Sequence, residues 1–421
     1  MSPSQPQADI RVPQVNAARI MQRLDHLATL TDPTVPYTRR AFSDLHGQAR
    51  QWLEQQYIEA GLTPRYDAAS NLIGRREGAQ TTRTLALGSH IDTVTGGGRF
   101  DGILGVLVGL ELAQTLHEAN INLNHALEVI DFTSEEVSDY QAASCIGSRA
   151  FGSTLDDEML ARKNPAGEVL TDAINRTGGN ATNIPQTVTQ DYAGYLELHI
   201  EQGRVLEAEN LSLGIVTGIV TIRRYELTVT GQPDHAGTTP MHLRHDALVG
   251  AAWIIQHVRE LARQQEGLVT TIGRIHNHPN GPNVVPGEVT MVLELRSLDG
   301  NQIEQTYRRI LDDAKPILDE DGLSLQTRPL SDAPGVYCDE VFQNTLQEAA
   351  VHYSTSHRTM PSGAGHDAMQ VANVCPVGML FVPSLGGRSH TPDEQSRPVD
   401  IQQAAQVMLR ALVNLDEQLV R

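Results

Sequence analysis

Apolar residues at Ile20, Met21, Leu24, Leu27 and Leu30, and again at Trp52, Leu53, Tyr57 and Ile58, recur close to the spacing of one helix face. They predict helices over 15–30 and 49–61, the second stopped by Gly61 with Pro64 beyond it. Short, unbroken apolar runs at 84–88, 126–132, 195–200 and 377–382 read instead as strands buried on both faces. A helical stretch at 103–119 separates the first two. Strand, helix and strand at this spacing predict a βαβ unit and a mainly parallel sheet flanked by helices.

The pattern changes between 222 and 331. Strand (222–230), helix (244–265), strand (269–275), strand (288–297), helix (302–318) and strand (323–328) follow one another, the βαββαβ order of a ferredoxin-like unit. Pro316 sits inside the second helix, where an interior proline costs about 3 kcal/mol. After this segment a helix (340–353), the strand at 377 and a last helix (401–419) return to the first pattern. The expected organisation is therefore α/β in two domains, 1–221 joined with 332–421, and 222–331 inserted between them.

Composition narrows the function classes. The 421 residues carry 32 Lys and Arg against 51 Asp and Glu, a formal charge of −19, the wrong sign for a nucleic-acid groove or an anionic membrane surface. Cys145, Cys338 and Cys375 are too few and too scattered for a disulfide framework or a CxxC metal site. The N-terminus lacks the basic and apolar regions of a leader, and no run of eighteen apolar residues occurs. A soluble, cytoplasmic protein is expected.

Polar residues cluster where the apolar runs end. Ser89-His90-Ile91-Asp92-Thr93 and the glycine-rich Gly96 to Gly102, which contains Asp101, follow the first strand. Ligands bind at such carboxyl ends in an open α/β sheet. His90 and Asp92 lie two apart, on one side of an extended chain, so either both bind a metal or the Asp orients the imidazole. Asp101 stands where a dinucleotide fingerprint would need glycine, which argues against a phosphate cradle. Glu135 and Glu136 follow the second strand; adjacent carboxylates repel unless a cation or proton intervenes, so one ligand and one acid/base is the economical reading. His199 ends the third strand, and His390 follows the fourth. His90, Asp101, Glu136, His199 and His390 supply imidazole and carboxylate without thiolate, which suits zinc, with manganese or cobalt as substitutes. Five ligands suit two ions sharing one carboxylate, and such a pair activates water for hydrolysis. No HExxH and no G-x-S-x-G is present.

The strings GSHIDTVTGGGRFDG, FTSEE, ELHIEQGRVLE, GQPDHAGTTPM, NVVPG, SGAGHDA and FVPSLGGRSHTPDE span residues 88–394. In this order they resemble the hydantoinase/carbamoylase branch of the di-zinc amidohydrolases, relatives of the zinc exopeptidases and aminoacylases. The resemblance implies a metal-dependent enzyme that cleaves the C–N amide bond of a small N-carbamoyl (ureido) amino acid or a related carboxylate, with allantoate, ureidoglycolate, N-acyl amino acids and peptides as in-class alternatives. A non-catalytic binding protein of the same fold is the other-class alternative, which loss of a ligand or of the base would signal.

By position, the resemblance implies that His90 and His199 hold one ion, Glu136 and His390 the other, and that Asp101 bridges them. Glu135 becomes the general base and Asp92 the partner of His90. It also gives the inserted domain the roles of lid and homodimer contact, with His235 reaching a neighbouring subunit's site as an oxyanion donor. Gln202, Asn283, Arg296 and the backbone at Gly363 and Ala364 become substrate contacts, and His366 and Asp367 stay outside the metal set. Two departures stand out: Val137-Ser138-Asp139-Tyr140 where relatives read GSRF, and Arg204 where relatives often have proline.

Overall fold

The computed structural model describes residues 12–186, 188 and 191–420. It falls into two compact units: one made by the chain up to Thr217 and from Cys338 onward, the other by Gly218–Tyr337.

The first unit is built on strands β1 (Thr63–Tyr66), β2 (Leu72–Arg76), β3 (Thr84–Ser89), β4 (Ala126–Asp131), β5 (Tyr192–Ile200) and β6 (Leu213–Ile219). The inserted segment supplies β7 (Thr221–Thr230), β8 (Val269–His278), β9 (Glu288–Ser297), β10 (Ser324–Ala333) and β11 (Val336–Tyr337); β12 (His357–Ser362) and β13 (Val377–Val382) follow it. The first sheet runs β1-β2-β4-β3-β5-β13-β6-β11, with β12 also against β6. Its central members β4, β3, β5 and β13 are parallel, in a register that sets Leu87 beside Val129 and Leu196, and Leu198 beside Leu380. Every residue of these four strands is buried, which is why they read as unbroken apolar runs rather than alternating ones.

The helix Ile103–Glu118 packs on this sheet and is buried almost all round. A Cβ at Gly105 would stand 2.3 Å from the Leu198 carbonyl oxygen, so only glycine lets the helix come this close. The helices Ala17–Thr29, Asp44–Glu59 and Pro398–Leu419 add Leu24, Leu53 and Leu412 to the same core. Removing each such leucine side chain from water stabilises by roughly 1.5–3 kcal/mol.

The Gly218–Tyr337 unit is a four-stranded antiparallel sheet in the order β10-β7-β9-β8. Alternate residues of β9, Val289, Met291, Leu293 and Leu295, are buried against Ile254 and Val258 of helix Ala247–Arg263 and Ile303 and Ile310 of helix Gly300–Glu320. The latter helix continues through Pro316. That residue is exposed near the helix end, as is Asp312 one turn back, so the carbonyl that loses its amide partner can be hydrated.

Three differences from the pattern reading are informative. The second unit begins at 218 and ends at 337 rather than at 222 and 331, because Tyr337 pairs with Gly218 and Val336 with Ile219 where the chain leaves and returns. Apolar runs locate strands and carry no mark of such a two-residue pairing. Pro64, read as punctuation after a helix, lies within β1, an edge strand where its missing N–H costs no ladder bond. Strands β1, β2, β6 and β12 escaped the pattern because their apolar runs are short or broken by Gly, Arg and Pro. Among the described residues no helix is long and apolar enough to cross a membrane.

Candidate metal centre

His90 directly follows β3, Glu135 and Glu136 lie in the turn after β4, His199 is the penultimate residue of β5, and His390 lies beyond β13. These strands are the parallel ones, so their carboxyl ends share one edge of the sheet. Asp101 comes from the turn that starts helix Ile103–Glu118. One ligand atom from each of His90, Asp101 and His199 lies within 4.8 Å of the others, and the same holds for Asp101, Glu136 and His390. Asp101 belongs to both groups. Its Oδ1 stands 3.2 Å from His199 Nε2 and its Oδ2 3.0 Å from His390 Nε2, which is 3.3 Å from Glu136 Oε1.

The outer nitrogens of two of these imidazoles are occupied. His90 Nδ1 donates to the Asp92 carbonyl at 3.0 Å and His199 Nδ1 to the Ile200 carbonyl at 3.0 Å. That pairing fixes the tautomer and leaves each Nε2 lone pair facing inward, the state a metal ligand needs. The turn is tightly fitted: at Gly102 (φ 68°) a Cβ would come 2.2 Å from His90 Nε2. Three non-glycine residues at the site, Ser134, Gln202 and His390, also have positive φ (57°, 57° and 56°). Such outliers concentrate where surrounding structure holds functional groups in place.

The protein's own charges leave this cluster in need of a cation. Burial, then the neighbouring Asp101, pushes the Glu136 carboxyl up to about 8. Burial also drives Glu135 well above the usual carboxylate range, helped by Glu136, Asp367 and Asp92. Desolvation takes His90 down to about 4, so its imidazole is neutral at neutral pH. The hydrogen bond to Asp101 raises His390 to about 9. Burial opposes the Asp101 charge, yet His390, His199 and His90 together hold it below the ordinary range. Imidazole nitrogens and carboxylate oxygens, buried except at His390 and gathered with an excess of acid, are the donor set that divalent ions complement.

Residues 86–414 match the family model described as peptidase family M20/M25/M40. The chain belongs to that family. It is 39% identical over 405 residues to an N-carbamoyl-L-amino acid amidohydrolase of Geobacillus stearothermophilus, covering 95% of this chain and 99% of the relative. An allantoate amidohydrolase of Escherichia coli is 33% identical, covering 91% and 94%. The crystal structure of a hydantoinase/carbamoylase family amidase from Burkholderia multivorans superposes with a TM-score of 0.90 at 33% identity, covering 96% and 98%. M20/M25/M40 members are metal-dependent, in keeping with these donor groups.

Within this M20/M25/M40 chain some side chains take other parts than the sequence suggested. The Asp92 carboxylate was expected to orient His90, but it lies 3.7 Å from Nδ1, and the Asp92 carbonyl makes that contact instead. The carboxylate accepts the backbone N–H groups of Glu135 (3.2 Å) and Glu136 (3.3 Å), so it holds the turn carrying both glutamates. Glu135 Oε2 is 3.5 Å from His90 Nε2, and the Cys145 thiol donates to its other oxygen at 3.7 Å. Gln202 Nε2 donates to both Asp101 oxygens (3.3 and 3.1 Å), leaving its Oε1 buried without a partner. Ala364 N–H is engaged by Ser362 Oγ at 3.2 Å, while Gly363 is exposed.

His235, Asn283 and Arg296 belong to the Gly218–Tyr337 unit. His235 is exposed and its Nδ1 accepts from Gly237 N (3.0 Å) and Thr238 N (3.2 Å), which places its proton on Nε2. Asn283 is exposed beside it in the chain fold, its carbonyl accepting Ala236 N. Arg296 pairs with Glu294 at 2.7 Å rather than with Asp299, whose carboxylate caps helix Gly300–Glu320.

Several functional neighbours escaped the sequence reading. Glu394 Oε1 accepts both Phe100 N (2.8 Å) and Asp101 N (3.0 Å), and so fixes the turn carrying the shared carboxylate. Glu197, fully buried, receives Ser89 Oγ and Ala368 N. His366, which the sequence reading set outside the metal set, packs edge-on to His199 at 4.4 Å, bonds Ser362 Oγ at 2.8 Å and forms with Glu197 and His199 a third group whose ligand atoms lie within 4.8 Å of one another. Glu197 and Glu394 stood inside the strings ELHIEQ and HTPDE; a carboxylate two residues before His199 and another four residues after His390 were the available signal. Of the departures, Asp139 pairs with Arg40 at 3.0 Å, and Arg40 also donates to the Thr93 carbonyl at 3.3 Å.

Proposed function

We propose that this chain is an amidohydrolase that cleaves the C–N amide bond of a small N-carbamoyl (ureido) amino acid or related carboxylate. The observation that carries the reading is the Asp101 carboxylate, whose two oxygens each face a separate donor group. His90, Asp101 and His199 would hold one divalent ion, and Asp101, Glu136 and His390 a second, with zinc favoured by the donor set and manganese or cobalt as substitutes. Bound there, such ions polarise the scissile carbonyl and lower the pKa of water.

The side chains supply the rest. Glu135 lies 3.5 Å from His90 Nε2, placed to take a proton from the attacking water, once bound cations hold its carboxylate ionised, and to return it to the leaving nitrogen. His235, with its proton on Nε2, serves as a neutral donor to the developing oxyanion. The unpartnered Gln202 Oε1 suits a ureido N–H, because an unmet buried acceptor is costly and a substrate donor would relieve it. Arg296 forks onto the substrate carboxylate, and Asn283, Gly363 and Ala364 complete its contacts.

The Gly218–Tyr337 unit acts as lid and homodimer contact in this reading. Strand β8 ends its sheet, and Val269 and Ile275 on it are exposed, which suits edge pairing with a second copy. Three free cysteines fit the reducing cytoplasm. Ammonia release from N-carbamoyl amino acids, allantoate and ureidoglycolate, and acetate release from N-acetyl amino acids, each measured with and without chelator, test the whole. Chelator-sensitive turnover of an N-carbamoyl amino acid is expected; turnover that ignores chelator, or no release from any ureido compound, contradicts it.

A further inference from the structure

Behind the metal centre lies a buried ion pair that the reaction does not use. Arg50, on helix Asp44–Glu59, and Asp131, the last residue of β4, are 2% and 0% exposed. Arg50 Nε donates to Asp131 Oδ2 at 2.8 Å, Nη1 to the Ser70 carbonyl at 2.6 Å and Nη2 to Thr133 Oγ1 at 2.9 Å. The other Asp131 oxygen accepts the backbone N–H of Ile91 at 3.0 Å. Ile91 stands between His90 and Asp92, and its carbonyl is taken at 2.9 Å by the buried guanidinium of Arg39. The backbone N–H and carbonyl of one residue beside a candidate ligand are thus both held. Through Thr133, two residues before Glu135, the same Arg50 reaches the turn after β4.

We propose that Arg50 and Asp131 are positioning residues, which hold the His90 backbone in register with the Glu135–Glu136 turn so that ligands from two strands meet one pair of ions. The proposal rests on the reading of His90, Asp101, Glu136, His199 and His390 as ligands. Stability alone accounts poorly for the pair, since burying two charges costs about as much as their attraction returns and apolar residues of equal volume often serve as well. Two of its bonds run instead to the turns that carry the chemistry, one from Ile91 N–H and one to Thr133 Oγ1, beside the bond to the Ser70 carbonyl. Groups that orient ligands from behind are worth a large share of ion affinity.

The test compares the full-length chain with its Arg50→Met, Asp131→Asn and Thr133→Val variants, and with Arg23→Met as a control. Arg23 is equally buried, with a Glu111 oxygen 3.6 Å away, and has no bond to either turn. Zinc affinity is read by competition with a chromophoric chelator, and Tm is read on stripped protein. Arg50→Met and Asp131→Asn are expected to weaken zinc binding by about 10- to 100-fold and Thr133→Val several-fold, while Arg23→Met lowers Tm and stays within about twofold of wild type in affinity. If the first two fail to fold, Thr133→Val decides, since it removes only the hydroxyl that accepts from Arg50 and donates to the Ser70 carbonyl, with little change in shape. Unchanged affinity in the folded variants, or an equal loss in Arg23→Met, overturns the proposal. A wild-type chain that binds no zinc would instead remove the ligand reading beneath it.

Discussion

The two units bury different kinds of side chain. In Gly218–Tyr337 the buried polar residues among those described are hydroxyls, Thr221, Ser297 and Thr306, set around an apolar core of Leu227, Met291, Leu293 and Ile310. In the other unit His90, Asp92, Asp101, Asp131, Glu136, Glu197, His199, Asp367 and Glu394 are all withdrawn from water. Desolvating charge is expensive unless it is paired or complemented by a metal. The Gly218–Tyr337 unit therefore buries little besides apolar packing, and the other unit accepts an electrostatic cost at one end of its sheet, where ions would offset it.

This contrast can be broken or sharpened by experiment. Glu135→Gln should lower kcat by about a hundred- to ten-thousand-fold with ion content unchanged, because it removes a proton acceptor and leaves the ligands in place; loss of ions in the variant would make Glu135 a ligand instead. His235→Ala tests whether the apolar unit joins the chemistry, with an expected loss of about a hundred- to a thousand-fold in kcat and little change in Tm. Chelation should destabilise the charge-burying unit by about 4 kcal/mol relative to protein held in ions a thousandfold above Kd, read as a Tm shift. Leu293→Ala, fully buried in the apolar unit, should cost about 2–5 kcal/mol by denaturant melting while ion content stays at the wild-type value. The smallest effect belongs to the exposed pair Arg328 and Glu226, 2.8 Å apart, where Glu226→Gln should change stability by less than about 1 kcal/mol.

The same contrast explains what was legible in the sequence. Strands β3, β4, β5 and β13 announced themselves because each is buried on both faces, and β7 to β10 with their helices because alternation and helical spacing set out a complete βαββαβ unit. His90, Asp101, Glu136, His199 and His390 could be picked out because acidic and imidazole residues at the end of apolar runs have no packing reason to be there. What stayed hidden depends on contacts between distant parts of the chain. Glu394 meets the Asp101 backbone across nearly three hundred residues of sequence, and Arg50 meets Asp131 from a helix whose apolar face gave no hint of a buried cation. Asp92 shows the opposite failure. Its spacing from His90 was read correctly as two residues on one side of the chain, but the choice between its carbonyl and its carboxylate is made by where Glu135 and Glu136 offer their N–H groups.

The central claim is that a single carboxylate serves two ions. Elemental analysis of dialysed protein, zinc per chain in wild type against Asp101→Ala, addresses it most directly. Two ions in wild type and a loss from both sites in the variant are expected. A wild-type chain that holds one ion or none, or an Asp101→Ala chain that still holds two, would contradict it.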